Sequence, residues 1–195
     1  MNVSLMFLFS GNLLIRNWTI DDNRSVLHLL LDLSATFDTV DHSTLLLRLR
    51  TRFGVKGSAL AWFESYLASR KYYVQVEDYK SSLRSLDSGV TQGSVVGPLL
   101  YVLYTSPVAD IIKSHDLQYH FYTDDTQLYI TFKTDFADDA CLAKSRVEHC
   151  VEETDRWMIS NKLKLNDDKT ELIVFSSKFR PRPCLSNVQI GSECI

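Results

Sequence analysis

An aspartate sits inside an almost unbroken aliphatic run, and that placement restricts the fold more than any other feature of the chain. Residues 26–33 read Val-Leu-His-Leu-Leu-Leu-Asp-Leu, a stretch of strand length with the hydrophobicity of a strand covered on both faces. Side chains alternate across a strand, so Leu27, Leu29, Leu31 and Leu33 share one face while His28, Leu30 and Asp32 share the other. Burying an ionised carboxylate is costly unless it is paired, hydrogen-bonded or bound to a metal. An aspartate near the end of such a strand therefore asks for a reason.

The remaining pattern supplies the neighbours of this strand. Leu45, Leu46, Leu49 and Phe53 recur at helical spacing, and Gly54 and Gly57 precede a second helical pattern with Leu60, Phe63 and Leu67 inward. Residues 72–76 and the polar segment to Asp87 read as a strand and hairpin ending at Gly89. A helix is expected over residues 96–112, kinked or ended early by Pro107. Leu117, Tyr119 and Phe121, then Leu128, Ile130 and Phe132, alternate with more polar neighbours, which predicts a hairpin with Asp124 and Asp125 at its tip. A long amphipathic helix follows from Ala143, and Glu171 to Phe175 reads as a further strand. This order predicts an α+β fold, an antiparallel sheet backed by helices on one face.

At 195 residues with 45% hydrophobic content, the chain can bury one substantial core. Residues 1–22 form an extension without clear periodicity, and Arg180-Pro181-Arg182-Pro183 marks a loop before an incomplete tail over 179–195. The four cysteines lack zinc-site spacing and read as reduced. No convincing signal peptide is present and no apolar run approaches the ~20 residues needed to span a bilayer, so the sequence reads as soluble and intracellular, with no membrane partner. A net charge of −3 argues against a self-sufficient nucleic-acid-binding surface, because phosphate contacts usually leave a basic footprint.

Asp124 falls on the hairpin face shared by Gln118, His120 and Tyr122, so it and Asp32 can both project from the open side of one sheet. Such a pair makes a hard, oxygen-rich site suited to Mg²⁺ and substrate phosphates. Taken alone, these residues fit a polar turn and a strand end better than a metal site. The wider strings change that balance. Leu30-Leu31-Asp32-Leu33-Ser34-Ala35-Thr36-Phe37-Asp38-Thr39-Val40-Asp41-His42 resembles the first palm motif of non-LTR (LINE-type) retrotransposon reverse transcriptases. Residues 89–100, from Gly89 through Gln92-Gly93 to Leu100, resemble their Gln-Gly motif, and Tyr122-Thr123-Asp124-Asp125 their Tyr-x-Asp-Asp box. Trp157 through Asn161, Leu163, Leu165 and Asn166 to Lys169-Thr170-Glu171 is a further match. These strings follow the family's order over about residues 23–176.

The resemblance implies a palm-like domain over 23–178 and RNA-directed DNA polymerase chemistry on an RNA template, a DNA primer and dNTPs. It implies that Asp32 and Asp124 are the metal-binding carboxylates of a two-Mg²⁺ centre, with Asp125 as a supporting catalytic carboxylate. Phe37 matches the aromatic under the incoming sugar, Gln92 and Gly93 the loop packed against nucleotide and template, and Lys169 a lysine that protonates pyrophosphate. Thr91 stands where the family usually has Pro, and Thr123 where it usually has Ala. No stretch matches the basic fingers segment, the thumb or an endonuclease, so the expected product is a truncated reverse transcriptase fragment. The alternative is a catalytically inactive relic that retains nucleotide or nucleic-acid binding.

Overall fold

A computed structural model of the chain describes residues 24–34, 37–91, 93–122, 125–133, 137–166, 169–176, 188–190 and 193–194. The main elements, in chain order, are strand β1 (Arg24–Leu31), helices α1 (His42–Thr51), α2 (Gly57–Leu67), α3 (Gly97–Thr105) and α4 (Val108–Ser114), strands β2 (Gln118–Tyr122) and β3 (Asp125–Lys133), helix α5 (Ala137–Ser160) and strand β4 (Glu171–Phe175). They fall into two compact units. The first holds the described residues up to Leu33, Val108–Trp157 and those from Leu165 on, and the second holds Ser34–Pro107 and Met158–Lys164.

The first unit is built on an antiparallel sheet of order β4-β1-β3-β2. β1 is one of its two inner strands, paired on both edges, and its aliphatic run barely alternates: Val26, Leu27, Leu29 and Leu31 are all buried. Cross-strand partners share a face. Register therefore sets Leu27 beside Ile130 and Leu29 beside Leu128 on one buried face. His28 pairs with Tyr129 and Ile173 on the other, where Gln127 and Tyr129 are half-buried and Thr131 is exposed. His28 itself is buried between the rings of Tyr129 and Phe175, with centroids 6.3 and 6.0 Å away. Its ring nitrogens have no hydrogen-bond partner among the described residues; burial holds its pKa down, only partly offset by Gln127, whose approach falls short of a hydrogen bond. Neutral imidazole is thus the favoured form.

Helix α4 packs against β2. α5 buries a stripe of Ala140, Ala143, Val147, Cys150, Val151 and Thr154, the 3.6-residue pattern expected of its sequence, although it starts at Ala137 rather than Ala143. Burial pushes the Cys150 thiol up to about 11, and Cys141 and Cys150 are free thiols, as expected for reduced cysteines. The α+β class with an antiparallel sheet and helices is the one the sequence predicts.

In the second unit, Asp41 caps α1 by accepting from the Thr44 N–H at 2.9 Å. The Ser43 hydroxyl first, then that N–H, holds its carboxyl well below the usual carboxylate range, and Lys162 Nζ lies 3.0 Å from the other oxygen. Pro107 ends the apolar helical stretch as expected, separating α3 from α4. The strand expected over 72–76 is instead two short pairings, Lys71–Tyr72 with Arg84–Ser85 and Gln75–Val76 with Tyr79–Lys80. Between them the Val74 N–H donates to the Ser81 hydroxyl oxygen while the Ser81 N–H donates to Val74 O, and residues 71–85 are exposed, so no core enforces a continuous ladder.

Gly89 closes the turn that follows the first motif. Its N–H donates to Val40 O at 2.8 Å, and the next N–H, of Val90, donates to Phe37 O at 2.7 Å. At φ +91° a Cβ here would meet Asp38 O at 2.9 Å. Gly89→Ala is therefore expected to destabilise the chain by about 2 kcal/mol, from the positive φ and the backbone contact together. Urea unfolding midpoints at unchanged slope check this.

Candidate functional site

Asp32 lies directly beyond the last residue of β1 and is half-buried. Its partner is Asn166. The Asn166 N–H donates to Asp32 O at 2.9 Å, and Asn166 Nδ2 donates to Asp32 Oδ2 at 2.9 Å, so one residue holds both the backbone and the carboxylate of the aspartate. Asn166 is fixed in turn, because its own carbonyl accepts from the Lys169 N–H and the Thr170 hydroxyl, each at 3.1 Å. That tight turn carries Lys169 back to the site, with Nζ 3.3 Å from Asp32 Oδ2. Lys169 is 69% exposed against 21% for Asp32, so the ammonium is a solvent-screened counter-charge while Asn166 is the anchor.

Asp125 opens β3 and pairs with Tyr122 across the hairpin. The last β1–β3 pair is Leu31 with Thr126, so the antiparallel register brings Asp32 and Asp125 opposite one another on adjacent strands, one residue beyond that rung. Period two puts Asp125 on the face of Gln127 and Tyr129, the less covered face of the sheet. Asp124 lies outside the described residues, as does Gln92. Among the described residues no group of three or more His, Cys, Asp or Glu side chains is arranged to hold a metal ion.

The other sequence-predicted residues belong to the second unit. Phe37 is half-buried, its ring 5.5 Å from that of Tyr101. Gly93 is exposed at φ +81°, with nothing within 4 Å of where a Cβ would stand. Its positive φ is the backbone conformation that glycine adopts without strain. The flanks of this loop are tied to α2 and its end: the Tyr66 hydroxyl and Ser94 Oγ are 2.8 Å apart, and Arg70 Nη1 donates to Thr91 Oγ1 at 2.6 Å. Thr91 thus has a defined task at the position where the resembled family usually carries proline.

Asn166 stands in the fourth motif without a role legible from the sequence, and Arg48 is a second residue whose contacts only the fold reveals. The Arg48 guanidinium donates to Asn161 Oδ1 and to Tyr104 O, with its carbon 4.4 Å from the Tyr104 ring centroid, and the Tyr104 hydroxyl donates to Asn161 O at 2.9 Å. An arginine on a leucine-rich helix face, followed far downstream by Asn161 in a motif, was the available signal.

The sequence profile of the family described as reverse transcriptase (RNA-dependent DNA polymerase) matches residues 12–185. The chain belongs to that family. It is 28% identical over 162 residues to the RNA-directed DNA polymerase from mobile element jockey of Drosophila melanogaster, covering 80% of this chain and 17% of that protein. It is 32% identical over 169 residues to the probable RNA-directed DNA polymerase from transposon X-element of the same organism, covering 80% of this chain and 16% of that protein. The chain thus spans about one sixth of the length of these curated relatives. An apo telomerase structure from Candida tropicalis, truncated from its C-terminal domain, superposes with a TM-score of 0.65 at 15% identity, over 91% of this chain and 36% of that one. That likeness establishes the fold. The non-LTR retrotransposon resemblance of the motifs agrees with the named relatives, and reverse transcriptases as a family are generally Mg²⁺-dependent. No helix among the described residues is long and apolar enough to cross a membrane.

The unequal roles of Asn166 and Lys169 are measurable. A double-mutant cycle between Asp32→Ala and Asn166→Ala is expected to show coupling of about 1–2 kcal/mol, because a half-buried charged acceptor loses its donor. The cycle with Lys169→Ala should give less than about 0.5 kcal/mol, as for other solvent-screened ion pairs. Unfolding free energies in urea supply both values.

Proposed function

We propose that the chain carries the nucleotidyl-transfer centre of an RNA-directed DNA polymerase, extending a DNA primer on an RNA template, with residues 23–178 forming the palm-like domain. The observation that carries this reading is the placement of Asp32 and Asp125 opposite one another on adjacent strands, one residue beyond the same terminal rung of the sheet, inside the family's own motifs. The donor set fits a hard divalent cation. Asp32 offers carboxylate oxygens at the strand end, and a cation, the Lys169 ammonium, already lies beside them. Asp32, Asp124 and Asp125 would hold Mg²⁺, which when bound supplies charge stabilisation for an attacking 3′-hydroxyl and a leaving pyrophosphate.

The chain's own residues have distinct tasks in this scheme. Asn166 orients the Asp32 carboxylate, so that its geometry is set before substrate arrives. Lys169 Nζ lies near the same oxygen on a side chain long and exposed enough to turn outward, where it can give its proton to a pyrophosphate oxygen. Phe37 would lie under the incoming sugar, and Gln92 and Gly93 against nucleotide and template. Gly93 leaves room for close approach, since no atom stands within 4 Å of its Cβ position.

Primer extension on an RNA template with Mg²⁺ and dNTPs tests this. Asp32→Asn is expected to reduce incorporation at least ~100-fold, since charge stabilisation at the reacting centre is lost. Incorporation no greater than that of an Asp124→Ala control would remove the reading. Metal-dependent nucleotide binding without turnover would put a retrotransposon-derived binding module in its place.

A further inference from the structure

We infer that the outer side of α2 is a stacking platform for single-stranded nucleic acid, the template strand, with Trp62 as its open face. This deepens the proposed function and rests on it for the identity of the strand. Trp62, Tyr66 and Arg70 follow one another at intervals of four, the spacing that brings side chains together along a helix and its end. The indole of Trp62 lies stacked on the Tyr66 ring, centroids 5.3 Å apart at 12°, and the Arg70 guanidinium covers Tyr66 at 4.2 Å. Phe63 meets Trp62 edge-on at 5.1 Å, which steadies the indole from the side. Trp62 is nevertheless 51% exposed.

A large aromatic held in a fixed orientation and left half open has little role in this unit's own core. It does suit an unpaired base, whose π-face stacks on aromatic rings with little regard to sequence. The ladder is also continuous with the loop that flanks Gly93, because Tyr66 contacts Ser94 and Arg70 donates to Thr91. A strand stacked on Trp62 would therefore lie along side chains that hold this loop.

Charge distinguishes a nucleic acid from a polypeptide occupant. Between Asp41 and Glu64 the chain contains no acidic residue but carries Arg48, Arg50, Arg52 and Lys56. Arg50, Arg52 and Lys56 are exposed, and α1, which carries Arg50, packs against α2. Arg70 and the exposed Lys71 add positive charge at the far end of the ladder. A net charge of −3 thus conceals a helix pair with exposed basic side chains and an open aromatic, Glu64 being the one acidic residue from 42 to 70; basic groups and aromatic rings together are the combination that tracks a phosphate backbone while stacking its bases.

The test uses the full 195-residue chain and a fluorescent 12-nucleotide poly(U) RNA, with binding followed by anisotropy in EDTA. Omitting divalent ions separates this inference from the metal centre: an inactive polymerase can pass, and an active one can fail. Trp62→Ala is expected to weaken binding at least ~5-fold. Trp62→Phe, which keeps a ring, should stay within about 3-fold of the parent, and Arg50→Ala or Lys56→Ala should each lower the salt slope by about one. Circular dichroism establishes that each surface variant is folded. Unchanged affinity in Trp62→Ala, equal affinity for duplex of the same length, or self-association through this face without RNA binding would each overturn the inference.

Discussion

A carboxylate placed at the end of a strand buried on both sides must be met by a donor in the folded state, and much of the first unit is organised around meeting it. β1 is aliphatic because both its faces and both its edges are covered. That same enclosure would make Asp32 unfavourable if the turn after α5 did not return Asn166 to it. The two Asn166–Asp32 hydrogen bonds join segments 134 residues apart in sequence. They also explain why the stretch from Trp157 to Glu171 travels with the first motif: its asparagine orients the carboxylate and its lysine balances the charge. Register then settles the neighbour, since the pairing of Leu31 with Thr126 leaves Asp125 beside the same strand end.

The second unit follows a different logic. Its polar contacts hold loops and helix ends rather than a charged centre: Arg48 with Asn161 and Tyr104, Asp41 with Thr44 and Lys162, and Gly89 against the 37–41 turn. Each satisfies a partly buried donor or acceptor that would otherwise be left unpaired. Where the resembled family usually has proline, Thr91 accepts a hydrogen bond from Arg70. A departure from the family pattern is here compensated by a specific side-chain contact.

Strand identity and order were legible because period and enclosure leave direct traces. The run ending at Asp32, the hairpin with Asp125 at its tip, the break at Pro107 and the strand Glu171–Phe175 all follow from local pattern. The broken hairpin over 71–85 was not legible, because a serine hydroxyl in the ladder depends on the facing strand rather than on the residues around Ser81. Asn166 was named but its task was hidden, since asparagine is common in turns and its partner is distant. Arg48 was overlooked for the same reason, with Asn161 lying 113 residues away. Trp62 lies outside the inward pattern of Leu60, Phe63 and Leu67, and its exposure is what distinguishes it from core. Asp124 and Gln92, expected from the motifs, lie outside the described residues.

The central claim, that the strand end at Asp32 and Asp125 is a divalent-cation site, is tested most directly by titrating the ¹⁵N-labelled chain with Mn²⁺ in the absence of nucleotide. Paramagnetic broadening is expected to begin at the amides of Leu31, Asp32, Asp125 and Thr126 and to reach Asn166 and Lys169 soon after. Lys169→Met should shift this onset to lower Mn²⁺, because the ammonium no longer competes for Asp32. Broadening that starts elsewhere, for example at Asp138 and Asp139 at the beginning of α5, and leaves the Leu31–Thr126 rung sharp would contradict the account.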